Sequence, residues 1–156
     1  MNPRQILALR SFTSAVKELG AAGVTRSHRY LGDIAEFLCA DAFGINLAKN
    51  LREVGYDGHR EQIKVQIKYN GSKKTNVDLG NPLHYQEVYI VLGPESVVRP
   101  IFHLAEFLVY RFTSDEVMHM RTAKGKYSCA KGQLPSAPLK AIHIEDAAAI
   151  PFLSVD

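Results

Sequence analysis

The sequence predicts one domain of the α/β or α+β class, in which helices pack around a single mixed β-sheet. Three observations support this prediction. Two amphipathic helical patterns begin the chain, a strand of period two lies near its middle, and a nearly continuous apolar strand follows. The chain has 156 residues, which fits a single domain over residues 1–156 and leaves little room for two.

The two predicted helices come first in the chain. Apolar residues at spacings of three and four predict a helix over residues 3–20, and Pro3 suits its first turn. The same spacing predicts a second helix over residues 31–43, which Gly44 ends. Both helices therefore precede the predicted sheet.

The predicted sheet follows these helices. Residues 45–61 are interpreted as a strand or irregular segment that leads to a turn at residues 55–58. Residues 62–69 alternate apolar and polar side chains, which is typical of a half-buried strand. Residues 87–92 form an apolar run that predicts a strand in the centre of the sheet.

The pattern after the central strand predicts one more strand and two helices. Residues 97–102 predict a strand, which Pro100 places near an edge or bend. Residues 103–112 and 114–121 predict helices, and Ser114 is a candidate cap for the second.

Charge is unevenly distributed along the chain. The net charge is +3, but residues 59–74 carry a local balance of +4 and residues 117–144 one of +5. The second basic segment lies in a loop-rich C-terminal part, residues 117–156. Two basic segments on an otherwise acidic chain predict a polyanionic partner, and a pair of solvated surface loops is the alternative interpretation.

Apolar runs and cysteines in the sequence indicate the cellular compartment in which the protein is expected. No apolar run approaches the roughly 20 residues that span a bilayer, and the start of the chain lacks the apolar stretch of a secretory signal. Cys39 and Cys129 lie far apart in the sequence, which suits free thiols in a reducing compartment. We expect a cytoplasmic protein with no membrane partner.

The strand predicted at residues 62–69 carries residues suited to metal-assisted phosphodiester hydrolysis, which needs oxygen ligands and positive charge. Gln66 and Lys68 project from the same face of it. The side-chain oxygen of Gln66 and the backbone carbonyl of Ile67 are candidate metal ligands. Lys68 would orient the nucleophile and stabilise negative charge on the phosphate. Asp57, which precedes the strand, is the candidate for the principal anionic ligand.

These residues form a motif. The sequence GYD at residues 55–57, followed by VQIK at residues 65–68, resembles the signature of the PD-(D/E)XK nuclease superfamily, in its variant with glutamine at the middle acidic position. The sequence GDIAEFL at residues 32–38 is similar to the first helix of that superfamily, whose glutamate reaches the metal site. The resemblance covers roughly residues 31–92.

The resemblance implies a fold and a set of roles. The fold would be a restriction-endonuclease-like core over about residues 31–112, with a mixed sheet of about four or more strands flanked by helices. Asp57 and Gln66 would be metal ligands, Lys68 the catalytic lysine, and Glu36 an additional ligand acting through water. The metal would be Mg²⁺ or Mn²⁺.

The implied activity is hydrolysis of phosphodiester bonds in DNA, favoured over RNA, in a defence, mobile-element or repair setting. Candidate nucleic-acid contacts flank Asp57 or follow the active strand; they are His59, Arg60, Tyr69, Lys73 and Lys74. A chain of this length without a recognisable DNA-reading domain is expected to work as a homodimer or as a subunit of a larger nuclease assembly.

Two alternatives stay open. In the first, the nuclease fold is kept as a non-catalytic module that binds nucleic acid or protein, because neutral Gln66 leaves the metal site with only two negative charges. In the second, Gln66 and Lys68 are the solvated face of an ordinary strand and Asp57 is a turn residue. Convergence of Glu36, Asp57 and Gln66 beside Lys68 separates the second alternative from the nuclease hypothesis.

Overall fold

The computed structural model describes residues 2–50, 55–100 and 103–144. This part of the chain is a mixed α+β structure with three α-helices, a mixed six-stranded sheet and a two-stranded sheet. The helices are α1 (Pro3–Ala21), α2 (Tyr30–Phe43) and α3 (Ser114–Met118). The strands are β1 (Asn46–Leu47), β2 (Gly58–Arg60), β3 (Ile63–Asn70), β4 (Asn76–Asp78), β5 (Glu87–Leu92), β6 (Phe107–Thr113), β7 (Ser128–Ala130) and β8 (Lys140–Ile142).

The large sheet has the strand order β1-β2-β3-β5-β6-β8. Its central pair, β3 and β5, is parallel, and each of the other pairs is antiparallel. The small sheet pairs β4 with β7 in antiparallel fashion. The prediction of a mixed sheet is confirmed, as is the central position of β5, whose six residues are all buried.

Both faces of the large sheet are covered. On one face, Ala35 and Cys39 of α2 pack with Val65 and Ile67 of β3. On the other, an apolar cluster joins β5 and β6 to β4, β7 and α3. Because side chains alternate along a strand, Gln66 and Lys68 point away from α2.

The predicted helices over residues 3–20 and 31–43 are confirmed as α1 and α2 within one residue at each end. Asn2 begins α1, since its side chain accepts a hydrogen bond from the Gln5 N–H at 2.9 Å. No residue of α1 is buried, so its apolar stripe stays largely exposed. None of the helices in the described part of the chain has the length and apolarity that crossing a membrane requires.

The prediction of a helix over residues 103–112 is wrong, because most of this segment belongs to β6. The six-residue pairing of β6 with β5 buries Leu108, Tyr110 and Phe112 on one face and Val109 on the other. An apolar run with both faces buried lacks the alternation that marks a strand in sequence.

The strand predicted over residues 97–102 is also wrong for residues 97–100, which form turns; residues 101–102 lie outside the described residues. Arg99 holds this segment as a loop, because its guanidinium donates to the carbonyl oxygens of Glu106 at 2.9 Å and His103 at 3.1 Å. These bonds satisfy backbone acceptors of residues that follow the segment and hold the loop next to the start of β6.

The helix predicted over residues 114–121 is shorter than expected and ends at Met118. Thr113, not Ser114, caps it. The Thr113 hydroxyl oxygen accepts from the Glu116 N–H at 3.3 Å, and the Glu116 carboxylate accepts from the Thr113 N–H at 2.7 Å. The loop-rich C-terminal part contains short strands β7 and β8, and its residues 145–156 lie outside the described residues.

Candidate active site

The site is built where β2 stops pairing with β3. The ladder between these strands covers only Gly58–Arg60, and Asp57 lies just before it. The Asp57 N–H still donates to the Val65 carbonyl at 2.8 Å, and its own carbonyl accepts from the Ala48 N–H at 2.8 Å. The backbone of Asp57 is therefore held between the β1 end and β3.

Beyond the end of the ladder between β2 and β3, the side chain of Asp57 supplies the hydrogen-bond acceptor that a longer β2 would provide. Its Oδ2 atom accepts from the Ile67 N–H at 2.6 Å. A buried strand N–H without a partner is costly, so this bond fixes the carboxylate beside β3. Asp57 therefore directly precedes the first strand of a hairpin, β2, whose second strand, β3, carries Gln66 and Lys68.

Gln66 completes the contact from the other side. Its side chain is buried, and its amide nitrogen donates to Asp57 Oδ2 and, at 3.4 Å, to the carbonyl of Ile67. The amide nitrogen of Gln66 thus lies between two of the oxygens that the sequence proposed as metal ligands. A neutral donor there stabilises the carboxylate.

Lys68 lies two residues farther along β3 on the same face as Gln66. It is half-buried, and its positive charge lowers the pKa of Asp57. It lines a cleft of about 750 Å³ together with Asn70 and Lys74. Lys68, the lysine predicted to be catalytic, therefore acts electrostatically on Asp57 and also lines the cleft.

Glu36 approaches from the α2 side of the sheet. Its carboxylate forms an ion pair with Arg26, whose Nη1 also donates to the Ala48 carbonyl at 2.9 Å. Arg26 is the residue that sequence reasoning missed. It lies in the polar connection between α1 and α2, and its position in the sequence does not predict a contact with Glu36.

The position of Arg26 is set by Asp33, which is buried near the start of α2. Asp33 Oδ2 accepts the Arg26 N–H at 2.6 Å, and its Oδ1 accepts the Ser27 hydroxyl at 3.0 Å. This clamp fixes the connection and directs the guanidinium of Arg26 to Glu36.

Burial raises the pKa of both carboxyls at the site. The pKa of Asp57 is raised mainly by desolvation, against the lowering effects of the Ile67 N–H, Lys68, Gln66 and Arg26. The pKa of Glu36 is raised by desolvation and, to a lesser degree, by the charge of Asp57, while the hydrogen bond from Arg26 lowers it. The two carboxylates thus share one electrostatic environment.

Cys39 lies within the same environment, one helical turn after Glu36. Burial, with smaller contributions from the charges of Glu36 and Asp57, raises the pKa of its thiol to about 12. Cys39 therefore stays a neutral thiol in the core, as expected of a buried cysteine. It is a packing residue beneath the site.

The donor set fits a hard divalent cation in its chemistry. It consists of two carboxylates, the Gln66 amide and the Ile67 carbonyl, all of which offer oxygen. Among the described residues no group of three or more His, Cys, Asp or Glu side chains is placed to hold a metal ion. The amide nitrogen of Gln66, not its oxygen, faces Asp57. For Gln66 to bind a cation, its amide group has to rotate by half a turn so that the oxygen takes this position.

The predicted nucleic-acid contacts divide into two groups. Arg60 lies opposite Ile63, five residues before Lys68 and roughly 16 Å along the strand. It donates to both carboxylate oxygens of Glu87, at 2.9 and 3.0 Å. His59 packs against the Tyr56 ring, with ring centroids 4.9 Å apart. Neither residue is brought to the cleft beside Lys68.

Tyr69 lies near the end of β3, and Tyr69 and Lys74 line the same cleft as Lys68, whereas Lys73 lies in the loop after β3 and is not among the lining residues. A Cβ added at Gly71 or at Gly93 would collide with the Tyr69 ring unless the ring moved. Tyr69 is therefore half-buried and packed, and it also lines the cleft. Lys73 and Lys74 are exposed.

Asn70 holds the loop that carries these lysines. Its buried amide nitrogen donates to the Lys74 carbonyl at 3.2 Å and the Asn76 carbonyl at 3.4 Å. Its oxygen accepts from the Ser96 hydroxyl at 2.9 Å and the Ser72 N–H at 3.3 Å. The loop is thus fixed by one side chain, which sequence reasoning did not single out.

The fold and the site together define a mixed α+β domain in which Asp57, Gln66 and Lys68 lie close together where the pairing of β2 with β3 ends. No protein-family model matches the chain, and a comparison with curated proteins finds no significant match. The argument for function therefore depends on the residues and geometry described above.

Proposed function

We propose that this protein is a Mg²⁺- or Mn²⁺-dependent endonuclease of the PD-(D/E)XK type that hydrolyses phosphodiester bonds in DNA. The observation that carries the proposal is the contact of Asp57 with both Gln66 and the backbone of Ile67, with Lys68 beside them. The order of these residues in the motif and their approach in space support the same site.

The metal ion would be held by oxygen ligands of Asp57, Gln66 and the Ile67 carbonyl, and Glu36, whose carboxylate lies on the α2 side of the sheet, would contribute through water. When bound, it would neutralise charge on the phosphate and activate water. Asp57 supplies the main negative charge, already oriented by the Ile67 N–H. Gln66 would hold the ion through its amide oxygen, with the amide group rotated relative to its present orientation.

Lys68 would stabilise the phosphate and orient the attacking water. Its ammonium group lies near the Asp57 carboxylate at the wall of the cleft, where it can donate hydrogen bonds to a scissile phosphate. Positive charge that is fixed before the reaction stabilises the developing negative charge without reorganisation. Lys68 also orients the attacking water by a hydrogen bond.

The test is cleavage of plasmid DNA by the purified protein with Mn²⁺. Asp57→Ala and Lys68→Ala should each lower the cleavage rate by about 10²-fold or more. Matched controls are Asp41→Ala, an exposed carboxylate of α2, and Lys64→Ala, an exposed lysine on the same face of β3. Cleavage that survives both site substitutions would come from another site or from a contaminant, and the proposal would fail.

A second candidate function is a non-catalytic module that keeps this fold and binds nucleic acid or protein. One observation favours it: Asp57 is bonded to Gln66 and Glu36 is paired with Arg26, so both carboxylates have partners within the protein. This candidate requires salt-sensitive DNA binding that is the same with Mn²⁺ and with EDTA. Mn²⁺-dependent cleavage that needs Asp57 would exclude it.

A further inference from the structure

The second basic segment of the sequence, residues 117–144, has no role in the site described so far. The small sheet connects it to that site. Strand β4 directly follows the loop with Lys73 and Lys74, and β4 pairs with β7 so that Asn76 lies opposite Ala130 and Asp78 opposite Ser128. The two basic segments are therefore joined by this pairing.

A tight hairpin immediately before β7 carries two lysines. The Thr122 carbonyl accepts from the Gly125 N–H at 2.9 Å, and the Thr122 N–H donates to the Lys126 carbonyl at 2.7 Å. Gly125 has φ +76°, which glycine adopts readily and which closes a turn of this type. Lys124 and Lys126 are thus presented, exposed, at a defined turn.

Two clefts meet at β4. The first, of about 750 Å³, extends from Lys68 past Lys74 to the exposed residues Asn76 and Asp78. The second, of about 440 Å³, begins at the same Asn76 and Asp78 and continues to Lys124 and Lys126. The two clefts therefore share one border, and lysines line both.

Asp78 places one carboxylate on the shared border of the two clefts. Its Oδ1 atom accepts from the Gly80 N–H at 2.9 Å, so the carboxylate is engaged in the turn after β4. Asn76 offers an amide that can donate to a phosphate or a base. Apart from Asp78, the path from Lys68 to Lys126 combines the positive charges of Lys68, Lys74, Lys124 and Lys126 with neutral donors, the combination that follows a sugar–phosphate backbone.

We infer that the nucleic-acid strand leaving the catalytic lysine continues over β4 and onto the hairpin, where Lys124 and Lys126 bind its phosphates. The inference rests on the proposed nuclease function for the identity of the polyanion, because the path begins at Lys68. It adds a second contact region, far from the motif in sequence, that binds DNA without taking part in the chemistry.

The experiment compares Lys124→Ala/Lys126→Ala with the parent protein in EDTA, by fluorescence anisotropy of a labelled DNA over a salt series. The double variant should bind about 10-fold more weakly at about 0.1 M salt, and the slope of log affinity against log salt should fall by about two. The matched control is Arg10→Ala/Lys17→Ala, which removes the same charge from α1, at a surface that lines neither cleft. Equal losses in both variants, or none in the hairpin variant, would overturn the inference.

DNA length gives a second readout. A short oligonucleotide that fills only the first cleft should bind the parent and the hairpin variant equally, while a longer one should distinguish them. If the parent cleaves DNA but the hairpin variant binds long DNA normally, the inference fails and the nuclease stands. If hairpin-dependent binding is found without any cleavage, the nuclease fails and the contact region stands.

Discussion

The Asp57 carboxylate accepts a hydrogen bond from the backbone N–H of Ile67 at 2.6 Å, although Asp57 lies outside the strand that pairs with β3. The same oxygen accepts from the Gln66 amide. A single carboxylate therefore completes the edge of β3 and forms the anionic centre of the candidate site. Asp57 therefore has a structural role, as a hydrogen-bond acceptor, and a proposed chemical role, as a negative charge. Substitution by asparagine or by alanine separates these two roles.

Asp57→Asn and Asp57→Ala should affect stability in opposite directions. Asparagine keeps an oxygen that can accept from the Ile67 N–H but removes a charge whose burial is unfavourable, so Asp57→Asn should raise the melting temperature at neutral pH. Alanine leaves the N–H without its acceptor and should lower the free energy of unfolding by about 1–3 kcal/mol. Thermal and urea denaturation measure both; an asparagine variant less stable than the alanine variant would contradict this account.

The raised pKa of Asp57 also predicts a pH dependence of stability in the metal-free protein. Between the unfolded-state pKa, about 3.9, and the higher folded-state pKa, the folded protein binds more protons. The free energy of unfolding contributed by this group should therefore rise as pH falls through that window and be lost as pH increases. Asp57→Asn should remove this contribution, which urea titrations at several pH values detect. A pH slope unchanged by the substitution would place its cause elsewhere.

Gln66→Glu should strengthen metal binding at the cost of stability. A third carboxylate adds negative charge for a hard cation, so Mn²⁺ affinity should increase by about 10-fold or more. Without metal, the new carboxylate loses the hydrogen bond to Asp57 and repels it, so the melting temperature should fall. Gln62→Glu makes the same change at an exposed position just before β3 and should do neither. Equal Mn²⁺ affinity in Gln66→Glu and the parent would show that residue 66 is not a ligand.

Arg26→Ala should also increase Mn²⁺ affinity, because it releases Glu36 from its ion pair. The loss of stability should be no more than about 1 kcal/mol, since both side chains keep some contact with solvent. Arg29→Ala, an exposed arginine three residues away, is the control. Calorimetric titration with Mn²⁺ measures the effect; weaker binding in Arg26→Ala would mean that Arg26 positions Glu36 rather than competes for it.

Asn70→Ala should destabilise the protein and loosen the loop with Lys73 and Lys74. The buried amide makes four hydrogen bonds to the loop and to Ser96, and its loss should lower the free energy of unfolding by about 2 kcal/mol. DNA affinity should fall with it, because the lysines would no longer be held in place. Urea denaturation and DNA binding in EDTA test the two effects separately. Unchanged DNA affinity would show that loop order does not matter for binding.

The parts of the fold that sequence reasoning predicted well are those with a clear period. Helix α2 shows helical spacing, β3 alternates, and β5 is a short apolar run bounded by Gly93 and Pro94. Strand β6 was mistaken for a helix because its two faces are buried by different neighbours, which removes the alternation. Its pairing with β5 and β8, which depends on tertiary contacts, decides its conformation.

The candidate site was predictable to the extent that it lies in one motif. Asp57, Gln66 and Lys68 are close in sequence and close in space, but the hairpin turn lies at residues 61–62, between β2 and β3, and not at residues 55–58 as predicted. Arg26 was not predictable, because its contact with Glu36 depends on how Asp33 folds the connection back onto α2. The connection between the two basic segments likewise appears only in the pairing of β4 with β7.

The most direct test of the central claim is a calorimetric titration of the metal-free protein with Mn²⁺. The parent protein should bind the ion at a site that Lys68→Ala retains, that Glu36→Gln weakens and that Asp57→Asn abolishes. Asp57→Asn should stay folded, because it keeps the acceptor for the Ile67 N–H. If the parent does not bind Mn²⁺, or if Asp57→Asn binds it as the parent does, the candidate site is not a metal centre and the nuclease proposal is contradicted.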